Sequence, residues 1–382
     1  MIRKALVPVV GVVVLIGLVV GAASAVPCGP TTCAPLSEAT PGSGVLLVRP
    51  HGLLGPLTTF GLSTGKPAAR FPAGVLSADG RRFVTASFVA TRPGTKVVRY
   101  DATTGRRVSA WIVPGATSEV GAVSANGRYV ALVAGWKDPQ ITIADLDRRA
   151  VLRTVEPVGH WKVDALSRDA KRLYLLEYLE QNQSAFYRVR VDVAGRGLLP
   201  GAITDPNESE LMTGMPWSSI GTRDGRWQLT LFLKTSASKV EAFVHALSLD
   251  RSVAACIDLS SGAFMGIGRY ALVLSPNGRT LYAANPSLGV VEVVDLTRRA
   301  VVSTTRFRPA SADERTSAAF GAISPDGRTV YFSAGRSLHA YDTRAHVART
   351  VPANGAIAGV GVSSDGTLLV VRPGGTTLRL RA

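Results

Sequence analysis

The amino-acid sequence predicts an all-β chain folded as a seven-bladed β-propeller, with eight blades as the alternative. Three observations predict it. A short phrase, two apolar segments around a Ser-x-Asp/Asn-Gly turn, recurs along the chain with its Asp or Asn at positions 79, 126, 169, 224, 277, 326 and 365. That spacing, roughly 40–50 residues, suits one four-stranded blade per repeat. After residue 26 no stretch shows helical periodicity, and the 39 glycines and 22 prolines are scattered as many tight turns require.

Each part of the phrase has a physical reading. Asp-Gly or Asn-Gly between apolar segments predicts a two-residue hairpin with both central residues at positive φ. Small residues before the turn, such as Gly121-Ala122-Val123, suit an inner strand at a crowded axis. The β-branched and aromatic segment after it suits a central strand. A second alternating strand then ends at Asp101, Asp145, Asp192, Asp295 or Asp342. An Asp there is expected to accept backbone N–H groups two residues on and start the turn into a half-exposed outer strand. Because these aspartates recur in every blade, turn formation explains them and catalysis need not.

The third and fourth phrases fit poorly, with Ala170 in place of the turn glycine and Gly221-Thr222 in place of Leu-Ser. Segments 44–50, 57–63 and 68–72 precede the first phrase, and 367–373 and 376–382 follow the last. Strands from both ends are expected to complete one blade and lock the ring.

Residues 280–307 closely resemble a repeat of the YVTN family. Tyr282-Ala283-Ala284-Asn285 stands at that family's name motif, with Ser275-Pro276-Asn277-Gly278 before it and Val294-Asp295-Leu296 after it. Residues 323–343 form a second good match. The resemblance extends at fold level over residues 43–382 and implies a lactonase-like or WD-like propeller. It implies no single function, since similar propellers serve as lactonases, redox-enzyme subunits, surface-layer proteins and binding scaffolds.

Outside the propeller, Arg3 and Lys4 precede an uncharged stretch, and Ala23-Ser24-Ala25 fits a processing site. Residues 1–25 therefore read as a signal peptide cut after Ala25, or as a membrane anchor, the stretch being long enough to cross a bilayer. Both place the rest of the chain outside the cytoplasm, secreted or anchored. Residues 26–42, rich in Pro, Thr and Ser, read as a linker. An oxidising compartment permits a Cys28–Cys33 disulfide, while Cys256 reads as a small buried hydrophobe.

The net charge of +16 comes largely from arginines placed just after turns, with no basic run and no nucleic-acid motif. It reads as a solvated basic surface, with acidic partners as the functional alternative. The five histidines form no metal or catalytic motif, and no phosphate-binding loop or nucleophile elbow is present. No cofactor, metal or catalytic residue is assigned. Ligand-binding candidates come from loops expected to share one rim: His160, Trp161, Trp217, Arg315, Trp136 and Glu210. Aromatic rings with arginine suit a peptide or sugar-like ligand, although each Trp could equally seal the core beneath a loop. Asp205, Glu208 and Glu210 form an acidic cluster that reads as a solvated loop, calcium being the functional alternative. The expected function is non-catalytic binding of an envelope protein or glycan at the channel rim by a monomer that touches the membrane only through its N-terminal segment. A lactonase-type hydrolase and a structural subunit of an envelope or redox complex are the alternatives.

Overall fold

The computed structural model describes residues 37–38, 44–48, 57–89, 93–115, 118–179, 186–205, 212–235, 240–261, 270–311 and 319–381. The N-terminal segment, Cys28, Cys33, Glu208, Glu210 and Arg315 lie outside the described residues. Within them the chain forms eight antiparallel sheets in sequence order, one per blade.

Blade 1 comprises β1 (Ser37–Glu38), β2 (Val45–Val48), β3 (Leu57–Gly61) and β4 (Pro67–Phe71). Blade 2 comprises β5 (Val75–Leu76), β6 (Arg82–Phe88), β7 (Thr95–Asp101) and β8 (Arg107–Val113). Blade 3 holds β9 (Glu119–Val123), β10 (Tyr129–Ala134), β11 (Gln140–Asp145) and β12 (Ala150–Val155). Blade 4 holds β13 (His160–Leu166), β14 (Arg172–Tyr178), β15 (Phe186–Val193), β16 (Gly197–Leu198) and the short β17 (Met212–Thr213), which also pairs with β15. Blade 5 is β18 (Met215–Gly221), β19 (Trp227–Thr235), β20 (Val240–Ser248) and β21 (Val253–Asp258). Blade 6 is β22 (Ala271–Leu274), β23 (Thr280–Asn285), β24 (Val290–Asp295) and β25 (Ala300–Arg306). Blade 7 is β26 (Ala319–Ile323), β27 (Thr329–Ala334), β28 (Ser337–Asp342) and β29 (Val347–Val351). Blade 8 has β30 (Gly359–Val362), β31 (Leu368–Val371) and β32 (Thr377–Leu380).

Eight blades, not seven, correct the expectation, and the reason is local. Blade 1 carries no Ser-x-Asp-Gly phrase between its first two strands. Its other turn follows the repeat. The Gly65 N–H donates to the Gly61 carbonyl at 2.7 Å, as the Gly105 N–H does to the Asp101 carbonyl at 2.8 Å in blade 2. Both glycines sit at φ 69. Strand exchange between the two ends is not seen among the described residues. Blade 1 is built from the N-terminal side alone and blade 8 from the C-terminal side alone. The ring closes by packing instead. Leu46, Val48, Phe60 and Leu62 of blade 1 bury against Leu369 and Val371 of blade 8.

The core is divided the same way, into eight apolar clusters, one at each junction of neighbouring blades. The period-2 alternation of a strand explains this. On β23, Leu281 and Ala283 point into the junction with blade 5, while Tyr282 and Ala284 point into that with blade 7. Outer strands alternate half-buried and exposed residues, as on β25.

The recurring turn differs from the predicted one. Only one residue of each has positive φ: Gly80, Gly127, Ala170, Gly225, Gly278, Gly327 or Gly366. In blade 3 the Gly127 N–H donates to the Ser124 carbonyl at 2.8 Å, a type I turn followed by a left-handed residue. The Ser124 hydroxyl explains the choice. It donates to Asn126 Oδ1 at 2.8 Å and accepts the Tyr129 N–H at 3.0 Å, while Asn126 Oδ1 also accepts the Arg128 N–H. The same hydroxyl-to-Asx bond forms in blades 2 to 8, with Thr222 substituting for Ser in blade 5. The third and fourth repeats therefore make the same turn despite their sequence departures. Ala170 holds φ 58 with its methyl buried in the cluster between blades 3 and 4, which offsets the cost of the left-handed backbone.

Four of the five strand-end aspartates act as predicted. Asp101, Asp145, Asp295 and Asp342 each accept N–H groups two and three residues on. For Asp342, the N–H groups of Ala345 and Arg344 hold the carboxyl below the usual range. Asp192 is the exception. It pairs with Arg153 Nε of blade 3 at 2.8 Å, tying two blades together.

Ser124→Ala leaves the half-buried Tyr129 N–H without its acceptor and is expected to cost about 1–2 kcal/mol. Gly127→Ala would place a methyl 2.4 Å from Arg82 Cβ at φ +68. Left-handed strain and overpacking together predict a loss of roughly 2–4 kcal/mol. Urea denaturation of both variants measures the pair, and unchanged midpoints would refute this account of the turn.

Candidate functional site

The antiparallel order of each blade sorts its connections onto two rims. Links between second and third strands, and from one blade to the next, share what is termed the loop rim. The Ser-x-Asx turns and the turns into the outer strands share the opposite, turn rim.

Three of the predicted ligand residues meet at one corner of the loop rim. Trp136 lies between β10 and β11, and His160 and Trp161 open β13. Lys137 bridges His160, the Trp161 N–H donates to the Trp136 carbonyl at 3.3 Å, and Asp138 Oδ1 accepts the Gly159 N–H at 2.6 Å. These bonds fix the Trp136 ring 5.7 Å from that of half-buried His160 and 4.9 Å from that of Tyr178. The two tryptophans differ in what they face. Trp136 is 41% exposed, whereas Trp161 is 3% exposed. Trp161 is buried in the cluster between blades 3 and 4, its Nε1 donates to the Val158 carbonyl at 2.8 Å, and the Arg190 guanidinium lies over its ring. Trp161 therefore seals the core beneath the loop.

Trp217 sits at a bulge of β18 on the same rim in blade 5, 36% exposed. Phe88 at the end of β6 (62% exposed) and Val158 between blades 3 and 4 (87% exposed) join them on the loop rim. Of the acidic cluster, Asp205 is described and buried. Its Oδ2 accepts the Cys256 N–H at 3.0 Å, so it ties a loop to β21. Cys256 is half-buried and packs against the cluster between blades 4 and 5.

That junction also holds groups the sequence reading missed. On β13, Lys162 and Asp164 alternate with the core residues Trp161 and Val163. Lys162 Nζ, Asp164 Oδ2, Tyr178 OH, Tyr187 OH and Thr230 Oγ1 are buried with no hydrogen-bond partner among the described residues. Burial raises the Asp164 carboxyl to about 6, with Lys162 opposing, and lowers the Lys162 ammonium to about 8, opposed by Asp164 and Glu119. Burial likewise raises both tyrosines, each pushed further by its neighbour in the series Asp164, Tyr178, Tyr187. His245 completes the seam. It lies between Thr230 and Cys256 in register, and burial lowers it to about 4, so the ring is neutral at pH 7. A cavity of about 30 Å³ between His245, Asp205, Cys256 and Tyr187 is large enough for a water molecule. The signal for this seam was present in the sequence. The inner strands β9 and β30 read Gly-Ala-Val and Gly-Val-Gly-Val, whereas β13 puts Lys and Asp in the same place.

No family model matches the chain, and no curated protein matches it. Many solved structures share the fold remotely. Hydrazine synthase of Kuenenia stuttgartiensis is 14% identical, with 80% of this chain and 94% of that one aligned at a TM-score of 0.42. The Cps50 (Swd1) β-propeller domain of Myceliophteria thermophila is 12% identical over 80% and 94% of the two chains, with a TM-score of 0.43. The WD40 repeats of RRP9 are 15% identical over 87% and 92%, with a TM-score of 0.45. Likenesses this distant do not bear on partner or activity. The propeller assignment rests on the chain's own eight sheets.

Asp164 gives the seam a pH signature. Its folded pKa lies above the unfolded value near 4, so the folded state binds more protons between pH 4 and 6 and loses stability as pH rises through that window. Asp164→Asn removes the titration. Relative to this variant, the wild-type chain is expected to lose on the order of 2 kcal/mol between pH 4 and 6. Parallel pH profiles for the two proteins, by urea denaturation, would show that Asp164 is not desolvated.

Proposed function

We propose that the chain is a non-catalytic binding propeller that holds a protein partner against its loop rim. The observation that carries this reading is the placement of Phe88, Trp136, Val158 and Trp217. These exposed apolar side chains fall on one rim across blades 2 to 5. Large exposed apolar groups gathered on one face mark interaction surfaces, and Trp is the residue most enriched where binding energy concentrates. The Trp136 ring is also held in place, by the bonds to the next blade and by Tyr178 beneath it, so binding costs it little conformational freedom.

The repeats are assigned to the YVTN type on residues 280–307. These form β23, β24 and the turn and strand beyond, and the Asn285 side chain caps the β23–β24 turn by accepting the Ser287 and Leu288 N–H groups. An extracytoplasmic location, secreted or anchored, is part of the same proposal and rests on residues 1–25 of the sequence. The partner is then an envelope protein, with an envelope glycan as the other class that rim aromatics suit.

Trp136→Ala with Trp217→Ala tests the rim. The full-length wild-type chain is expected to retain specific envelope proteins in affinity capture, and the double variant to lose them at least tenfold, while Val302→Ala with Val347→Ala, on exposed outer strands, keeps them. Recovery of the same proteins by all three would refute the rim. For export, N-terminal sequencing is expected to find Val26 first, or else an intact chain in the membrane fraction. An intact chain in the cytoplasm would sink the export assignment.

A further inference from the structure

We infer that the turn rim is a second binding face, and that a groove across blades 3, 4 and 5 takes an acidic peptide segment of a partner protein. The groove encloses about 480 Å³ and is built where three Ser-x-Asx turns meet. Gly225 of the blade 5 turn shows how closely they meet. A methyl added there would lie 2.8 Å from Ala125 of blade 3 and 3.4 Å from Arg168 of blade 4. The lining alternates in charge, with Arg128, Arg168, Arg172 and Arg226 set among Asp169, Asp224 and Asp250, the last with its Oδ1 held by the Ser248 hydroxyl at 2.7 Å.

The pairing of these groups is unequal. Arg128 is committed to Asp145, with Nη2 2.7 Å from Oδ2, and Arg226 Nε lies 3.5 Å from Asp224. The guanidinium groups of Arg168 and Arg172 have no hydrogen bond or ion pair among the described residues. The carboxylates cannot swing to meet them. Asp169 Oδ1 is held by the Ser167 hydroxyl at 2.8 Å and the Lys171 N–H at 3.0 Å. Asp224 Oδ1 is held by the Thr222 hydroxyl at 2.7 Å and the Arg226 N–H at 3.0 Å. The groove thus offers two unengaged planar forks, the geometry that recognises carboxylate bidentately.

The mixed lining selects the class of ligand. A uniformly charged polyanion, whether a lipid surface or a nucleic-acid backbone, would set negative charge against Asp169 and Asp224. A peptide can place acidic side chains on Arg168 and Arg172 and neutral ones beside the carboxylates. The net charge of +16 brings an acidic partner to the molecule, and the groove determines where it rests.

The test uses the full chain and a fluorescein-labelled decapeptide in which Glu alternates with Ser, followed by anisotropy at low salt. Arg168→Ala with Arg172→Ala is expected to raise Kd at least tenfold. Arg106→Ala with Arg107→Ala removes the same charge from exposed positions of the same rim in blade 2 and is expected to change Kd less than twofold. Trp136→Ala with Trp217→Ala is expected to leave Kd unchanged, which separates this face from the loop rim. Equal losses in both arginine pairs would mean that binding follows net charge, and the groove assignment fails. Tighter binding of phosphatidylglycerol vesicles or of a single-stranded oligonucleotide than of the peptide, abolished by Arg168→Ala with Arg172→Ala, overturns the peptide class. The two arginine side chains make no hydrogen bond or ion pair among the described residues, so urea midpoints are expected to match wild type.

Discussion

The structure depends on one constraint: a four-stranded blade has two apolar faces and cannot bury either alone. On β23 both faces are core, and only a blade on each side keeps Leu281 and Tyr282 from water. Burial of this kind, at roughly 25 cal/mol per Å² of apolar surface, is the main favourable term and is shared among eight junctions. No junction can be left open. The contact of Leu46, Val48, Phe60 and Leu62 with Leu369 and Val371 therefore supports every other blade, since opening it exposes a complete face on both sides of the seam. Polar ties reinforce single junctions, as Arg153 does by crossing from blade 3 to Asp192 of blade 4. They cannot replace the apolar faces.

The fold class was legible because the turn is chemically demanding. A hydroxyl that both donates and accepts, an Asx oxygen that collects it, and one left-handed residue leave little freedom at three positions. Even so, the turn's conformation was misread. Asp-Gly suggests positive φ at both residues, but the serine hydroxyl takes the N–H after the turn and lets the Asp remain on the ordinary side of φ. Position by position, the restrictions were looser than they looked. Ala170 serves because its methyl has a core to enter, and Thr222 serves because only its hydroxyl matters. The blade count failed for the opposite reason. Blade 1 uses another connection between its first strands, and a phrase that is absent cannot be counted. Its Thr64-Gly65 turn matches Thr104-Gly105 of blade 2 and held the missing information.

The candidate site was half legible. Loop tryptophans were found by residue type, but type alone could not tell Trp136 from Trp161. That difference depends on whether the indole N–H meets a carbonyl of its own loop, as it does for Trp161 and Val158. Lys162 and Asp164 were passed over because two charges in an alternating strand ordinarily face solvent. Here the strand is innermost, and the next blade covers them. The resulting seam is costly: five buried polar atoms have no hydrogen-bond partner among the described residues, and both charged groups are pushed toward neutrality. The inner strand of blade 3, with Gly121-Ala122-Val123, shows that small apolar residues serve the fold in this layer.

The repeat also makes the molecule polar from rim to rim. A residue that follows the Ser-x-Asx turn lands on the turn rim in whichever blade it occurs, so a preference for Arg there, as at 81, 128, 226, 279 and 328, produces a basic face by repetition. No such periodicity governs the loop rim, whose connections differ from blade to blade and, among the described residues, place exposed aromatics in blades 2, 3 and 5. One rim therefore attracts by long-range charge and the other by local apolar contact. The first falls with salt and the second does not. The two rims differ in chemistry, and both follow from the direction in which each short repeat crosses its blade.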